Sequence, residues 1–272
     1  MANTINTNIS SLQAQRALGT NERLMQEAVS QLSTGLRVSK ASDDAAGLAI
    51  GSRMNAQIVS LNQAIRNAYD GISMLQTADG ASSTLGDVLA RMKELAIQSA
   101  NGTNGSSDQA ALNVEFKELQ AGIQTVIDNT TWNGVKVLNG TLNDVKYHIG
   151  PGSTDSISVN FGDLTGLKAL STAGVGTAAD ALSAISDVND SMATVDSVRT
   201  LWGAAMNRLT HAADNASNVS MNISASKSRI LDADYAQATA DLAKAQILQA
   251  AGTAMLSQAN QQPLSVLRDR KS

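Results

Sequence analysis

The sequence predicts a mainly α fold: a long antiparallel helical rod or coiled-coil bundle, with a small β-hairpin region. Three observations carry this expectation. Proline occurs only at 151 and 263, so long stretches are free of the strongest helix breaker. Hydrophobic residues make up 43% of the chain but aromatics only 3%; small and straight side chains suit closely spaced helix axes and line a ligand pocket poorly. Apolar residues recur at helical spacing at both ends of the chain.

The first arm is expected over about residues 4–34, with Ile5, Ile9, Leu12, Leu18, Met25, Val29, Leu32 and Leu36 as its stripe. Its other faces are Asn, Thr, Ser and Gln, so alone it is marginal in water. A break at Ser39–Asp44 follows, where Ser42 or Asp43 is expected to cap the next helix. That helix spans about 44–100; at about 1.5 Å per residue it exceeds roughly 80 Å and implies an elongated rod. The run Asn101-Gly-Thr-Asn-Gly-Ser-Ser is a loop by composition, and Asp108 is a candidate cap for a helix over about 108–129. Residues 131–161 change character. Trp132-Asn-Gly-Val carries a hairpin turn signal, and Tyr147-His-Ile and Ile157-Ser-Val-Asn-Phe read as short strands. A Gly/Ala/Thr stretch at 171–178 leads to a final helical part over about 180–262, with breaks allowed. Within it, Leu231, Tyr235, Ala238, Leu242, Ala245, Gln249, Gly252 and Leu256 alternate by four and three, a heptad-like seam rich in small residues.

The two striped ends lack local partners. The economical solution is that they pair with each other or with neighbouring copies. The closing loop between them is long, but its entropic cost grows only slowly with length, and assembly contacts supply what one subunit lacks.

Composition excludes several functions. A formal net charge of −4 argues against nucleic acid and against an electrostatically held membrane protein. The absence of cysteine excludes disulfides, thiolate metal sites and a Cys nucleophile. The N-terminus has no basic start and no apolar run, so no cleaved signal peptide is expected, and no segment is apolar enough for a transmembrane helix. His148 and His211 lie on different elements without a carboxylate cluster, so no metal is expected. Asp187-Val-Asn-Asp-Ser lacks the Gly and Glu of a calcium loop. Gly150-Pro-Gly is a turn, not a phosphate cradle, and no cofactor loop occurs. Asp43 and Asp44 read as a cap and junction rather than an acid pair. Methionines on the helix stripes are expected in the core, with Trp132 and Trp202 as packing anchors. Nothing supports an enzyme.

Several segments resemble the bacterial flagellin family. At the start these are Ile5-Asn-Thr-Asn-Ile-Ser-Ser-Leu, Leu32-Ser-Thr-Gly-Leu-Arg-Val and Ser42-Asp-Asp-Ala-Ala-Gly-Leu-Ala-Ile. Further along come Arg91-Met-Lys-Glu-Leu-Ala-Ile-Gln-Ser-Ala-Asn-Gly-Thr and Trp132-Asn-Gly-Val-Lys-Val-Leu. Near the end are Ser228-Arg-Ile-Leu-Asp-Ala-Asp-Tyr-Ala and the run from Lys244 to Pro263. The resemblance implies an inner filament domain from 1–43 plus 230–272. A helical rod domain follows at 44–229, with its β region at about 131–161 and no large outer domains. It implies a self-polymerising structural subunit of the extracellular flagellar filament, exported without a cleaved signal. Self-assembly falls on Ile5, Ile9, Leu12, Leu18, Met25, Leu32, Leu231, Tyr235, Leu242, Leu248 and Leu256. The partners it implies are other copies of the chain, an export chaperone on the C-terminal arm, and the filament cap and hook-associated proteins. It also implies recognition of the monomer by a vertebrate innate receptor through Arg91, Leu95 and Glu115, the first two sharing a helix face. A hook-associated junction protein is the alternative; the near-continuous match through the rod favours the filament subunit. The tail Arg268-Asp-Arg-Lys-Ser departs from the apolar end usual in the family.

Overall fold

In the computed structural model, residues 7–269 are described, without the side chains of 168, 169, 171 and 262–269. Ile5 and the last residues of the charged tail lie outside the described residues. Five long helices and two short hairpins make up the chain: α1 (Ile9–Thr34), α2 (Ala45–Ala100), α3 (Ser106–Asn129), β1 (Thr131–Trp132), β2 (Val135–Lys136), β3 (Val145–His148), β4 (Ser156–Val159), α4 (Ala178–Leu231) and α5 (Tyr235–Asp269). A 3₁₀ segment, Thr165–Thr172, precedes α4; Leu164, Leu167 and Leu170, three residues apart, are its buried face.

Local chemistry sets the ends. Asn8 caps α1 through its side chain, which accepts from the Ser11 amide at 3.1 Å. Gly35 ends α1 in the left-handed region at φ 71°, and its N–H donates to the Gln31 carbonyl. The cap of α2 is Asp44, not Ser42 or Asp43: its carboxylate accepts from the Gly47 amide at 2.9 Å. Asp43 instead folds back on the amides of Ser39 and Lys40, at 3.1 and 2.9 Å. Those backbone bonds hold its carboxyl below the usual range. Asp108 is not the cap of α3 either. It sits one turn in and reaches back to the Gly105 amide at 3.1 Å. The Asn133-Gly134 turn has both residues at positive φ, 49° and 78°, which suits a two-residue hairpin pairing Trp132 with Val135.

α5 continues through Pro263 to Asp269, beyond the helix end expected at 262. Proline lacks the amide that would bond the carbonyl four residues earlier, that of Ala259. That carbonyl is not orphaned: the Asn8 side-chain amide donates to it at 2.7 Å. The helix therefore crosses its proline because α1 supplies the missing donor.

The described chain separates into two compact units, Gln57–Met221 and Met1–Ala56 with Asn222–Ser272. The start of α2 and the end of α4 thus lie in the terminal unit.

The larger unit has one apolar core. On α2, Leu75, Ala78, Ser82, Leu85, Leu89, Met92 and Ala96 are buried in alternating steps of three and four. On α4 the same alternation buries Ala181, Ala184, Val188, Ser191, Val195, Val198, Trp202, Ala205 and Leu209. Phe116, Ile123 and Ile127 of α3 complete the helical side, and the β3–β4 hairpin contributes Ile157 and Val159. Phe161 meets Trp202 with ring centroids 6.5 Å apart. Trp202 is an anchor as expected; Trp132 is only partly buried. Met74 and Met92 are buried, but Met221 and Met255 are not, at 64% and 66% exposure. The core expectation therefore fails for two methionines that face away from their helix's seam.

Tyr147 of β3 lies across Gly71, where an added Cβ would sit 2.9 Å from the ring. Its hydroxyl faces the Met74 sulfur at 3.2 Å. Burial pushes its pKa up to about 12. Because the folded value exceeds the unfolded one, this group's stabilising contribution is complete below about pH 10 and is lost as pH rises towards about 12. Tyr147→Phe is expected to flatten the fall in stability over that window, measured by urea denaturation at stepped pH.

Candidate functional site: the terminal helix pair

α1 and α5 pack along a seam in the terminal unit. The face of α1 turned to α5 carries Ser11, Ala14, Leu18, Asn21, Met25, Ala28 and Leu32, of which Ser11, Asn21 and Ala28 are buried and the rest half-buried. The face of α5 carries Ala238, Leu242, Ala245, Gln249, Gly252, Leu256 and Ala259. Both alternate by three and four, the spacing of a left-handed pair. The C-terminal seam is where the sequence placed it, except that Tyr235 is 56% exposed. It still ties the pair, because its hydroxyl donates to the Leu32 carbonyl at 2.9 Å.

The stripe expected on α1 is only half the seam. Leu18, Met25 and Leu32 face α5, whereas Ile9 and Leu12 are 62% and 58% exposed and Val29 also points outward. Polar residues occupy seam positions instead. Ser11 donates to the Asn260 side chain at 2.8 Å, and Asn21 donates to the Ala245 carbonyl at 2.7 Å and to Gln249 at 3.2 Å. A search for apolar periodicity misses these residues. The steps 11, 14, 18, 21, 25, 28 and 32, matched to the seam of α5, are the signal that finds them.

At the base of the pair the chain makes a clasp. Leu36 bridges Asp232, the Arg37 amide donates to the Leu231 carbonyl at 2.7 Å, and the Ala233 amide donates to the Gly35 carbonyl at 2.9 Å. Leu231 is buried and fills the space above Gly51, where a Cβ would lie 2.4 Å from its terminal methyl. This is the place for a glycine within α2: only a residue without Cβ admits Leu231 there.

The outward faces of the pair are apolar. Ile9, Leu12, Leu24 and Val29 of α1, with Ile247, Leu248 and Met255 of α5, are all 47% exposed or more. An open groove beside them is lined by Met25, Val29 and Leu242 together with Gln26, Ser30 and Gln246. Two helices make a single seam, so the apolar residues on their outer faces are left uncovered by the described residues.

The candidate receptor residues part company. Arg91 and Glu115 form an ion pair at 2.9 Å, joined by Glu94 at 3.0 Å. The Glu115 contact, ahead of Glu94, raises the Arg91 pKa. Leu95 does not share that surface; it is 1% exposed and belongs to the core. A four-residue step on α2 thus goes from exposed Arg91 to a side chain in the core cluster that also holds Phe116 of α3 and Trp202 of α4. Among the described residues no group of three or more His, Cys, Asp or Glu gathers at metal-binding distance, and no helix is long and apolar enough to cross a membrane.

Comparisons with known proteins agree with this architecture. Residues 5–143 match the bacterial flagellin N-terminal helical region and residues 185–268 the bacterial flagellin C-terminal helical region. A flagellin of Halalkalibacterium halodurans is 42% identical over 97% of this chain and 98% of that protein. The flagellin of Bacillus subtilis strain 168 is 36% identical, covering 97% and 98%. The crystal structure of Bacillus cereus flagellin superposes with a TM-score of 0.52 and 28% identity, covering 56% of this chain and 88% of that one. With both terminal helical regions matched in order and relatives aligned nearly end to end, the chain belongs to the bacterial flagellin family, the structural subunits of the flagellar filament.

Proposed function

We propose that the terminal helix pair is the polymerising part of this subunit, and that the helices and hairpins of 44–229 form the outer layer without large outer domains. The observation that carries this reading is the unpartnered apolar surface of α1 and α5, including Ile9, Leu12, Ile247, Leu248 and Met255. Such a surface on an isolated subunit is an association site. A second copy presenting the same helices has matching chemistry, and repeated contact of one kind between copies builds a helical filament. The seam residues Leu18, Met25, Leu32, Leu231, Leu242 and Leu256 hold the pair together.

The same exposed face explains the remaining partners. Before export a chaperone covers the C-terminal arm, screening Ile247, Leu248 and Met255 from premature contact. Two helices with one seam present a small barrier to the unfolding that export through a narrow apparatus requires. The filament cap and hook-associated proteins meet the two ends of the polymer, and the assembled subunit is extracellular. A vertebrate innate receptor reads the free monomer through Arg91 and Glu115, which stand half-exposed on neighbouring helices.

Seeded polymerisation tests the reading. The full chain is expected to give long filaments by electron microscopy, and a chain lacking residues 1–40 none. Short caps in place of filaments would point to a junction adaptor, and filaments from the shortened chain would remove α1 from the polymerising part.

A further inference from the structure

The seam of α1 and α5 repeats so evenly that apolar packing alone leaves its register open. On α5, Ala238, Ala245, Gly252 and Ala259 are each seven residues apart, as are Leu242, Gln249 and Leu256. On α1, Leu18, Met25 and Leu32 are seven apart, as are Ala14, Asn21 and Ala28. Sliding one helix by a heptad, about 10.5 Å, would again set small residues opposite large ones.

Beyond the clasp and the Tyr235–Leu32 bond at the base of the pair, and the Ser11–Asn260 bond, three contacts along the seam break that equivalence. Leu18 occupies the space at Gly252: a Cβ there would lie 2.6 Å from Cδ2 and 3.1 Å from Cγ of Leu18. A slide by one heptad brings Ala245 or Ala259 to the same place. Asn21 is 7% exposed and faces Gln249, the only polar member of its row, with Nδ2 donating to Oε1 at 3.2 Å. A slide brings Leu242 or Leu256 opposite a buried amide whose Oδ1 already has no partner. Asn8 donates to the Ala259 carbonyl, left free because residue 263 is proline. A slide offers Asn8 the carbonyl of Gly252, which sits inside a continuous helix and is already used.

We propose that Asn8, Asn21 with Gln249, and the Leu18–Gly252 contact together select the register of the terminal pair, and that this register aligns the exposed rows that neighbouring copies meet. The second half rests on the polymerising role of the pair. The first half does not. These are positioning residues: Asn21 and Gln249 are polar in a seam that apolar residues would fill with more stabilisation, the arrangement that fixes register in helical pairs at a cost in stability.

The chain has no cysteine, so engineered disulfides report register directly. Ser11 meets Asn260 across the seam at 2.8 Å; S11C/N260C therefore reads the native register, and S11C/T253C reads a one-heptad slide. With oxidised glutathione and the full chain, free and in filaments, only the first pair is expected to close. Adding N8A, N21L and Q249L makes the seam more apolar and is expected to raise closure of the slid pair about tenfold. The exchanged pair N21Q/Q249N keeps a polar contact and is expected to retain the native register alone, which separates register from general packing. Exclusive closure of the native pair in the apolar variant would overturn the proposal while leaving the polymerising role intact. A full chain that never polymerises would remove that role while the disulfide pattern still reported on register.

Discussion

Trp202→Ala is expected to destabilise the larger unit by about 3–5 kcal/mol, the range for deleting a buried large aromatic. Trp202 is fully buried, stacked at a tilt against Phe161, and flanked along α4 by Val195, Val198, Ala205 and Leu209. Its neighbours are held in long helices, so they collapse poorly into the void. The indole Nε1 is buried without a partner among the described residues, so Trp202→Phe removes an unsatisfied donor along with some volume and is expected to cost about half as much. Urea denaturation followed by circular dichroism measures both. Equal losses would show that the indole nitrogen has a partner after all.

Asn21→Asp is expected to block filament formation at neutral pH while leaving the larger unit folded. The position is 7% exposed, and the substitution replaces an amide donor facing the Ala245 carbonyl with an acceptor. A carboxylate there faces the Ala245 carbonyl oxygen, and only reversal of the Gln249 amide offers it a donor. An unpaired buried charge costs about 3–5 kcal/mol, enough to raise the critical concentration more than roughly a hundredfold. Burial raises the pKa of the introduced carboxylate, so the defect grows as pH rises above about 3.9 and is relieved below it. Sedimentation of polymer at stepped pH measures the effect, with unfolding of the larger unit as the control. Normal assembly at neutral pH would show that the α1–α5 seam is not required.

The helices were legible because their signals are local. Alternating three- and four-residue steps and a loop of Asn, Gly and Ser bring α2 and α3 close to their observed ends, whereas the final helical part expected over 180–262 divides into α4 and α5 at 232–234. Resemblance supplied the pairing of the ends. What was not legible depends on partners. Ile9 and Leu12 look like seam residues because they are apolar, yet they face outward. Ser11 and Asn21 look like surface residues because they are polar, yet α5 satisfies them with Asn260, Ala245 and Gln249. Helix length past Pro263 depends on Asn8, distant in the chain. Leu95 was misplaced because a shared helix face was judged from one step of four, without the neighbouring helices that bury it. Capping by Asp44 rather than Asp43 depended on which carboxylate the loop turned inward.

The most direct measurement is peroxide oxidation of the native methionines, read by mass spectrometry in monomer and in filament. Met255 is 66% exposed on α5, and Met74 and Met92 are buried in the larger unit, so the chain carries its own reference. In the monomer Met255 is expected to oxidise far faster than Met74 or Met92. In the filament it is expected to slow about tenfold or more while those two stay unchanged, because neighbouring copies cover the outer face of the terminal pair. Equal reactivity of Met255 in both states would mean that this face stays open to solvent and that polymerisation uses another surface.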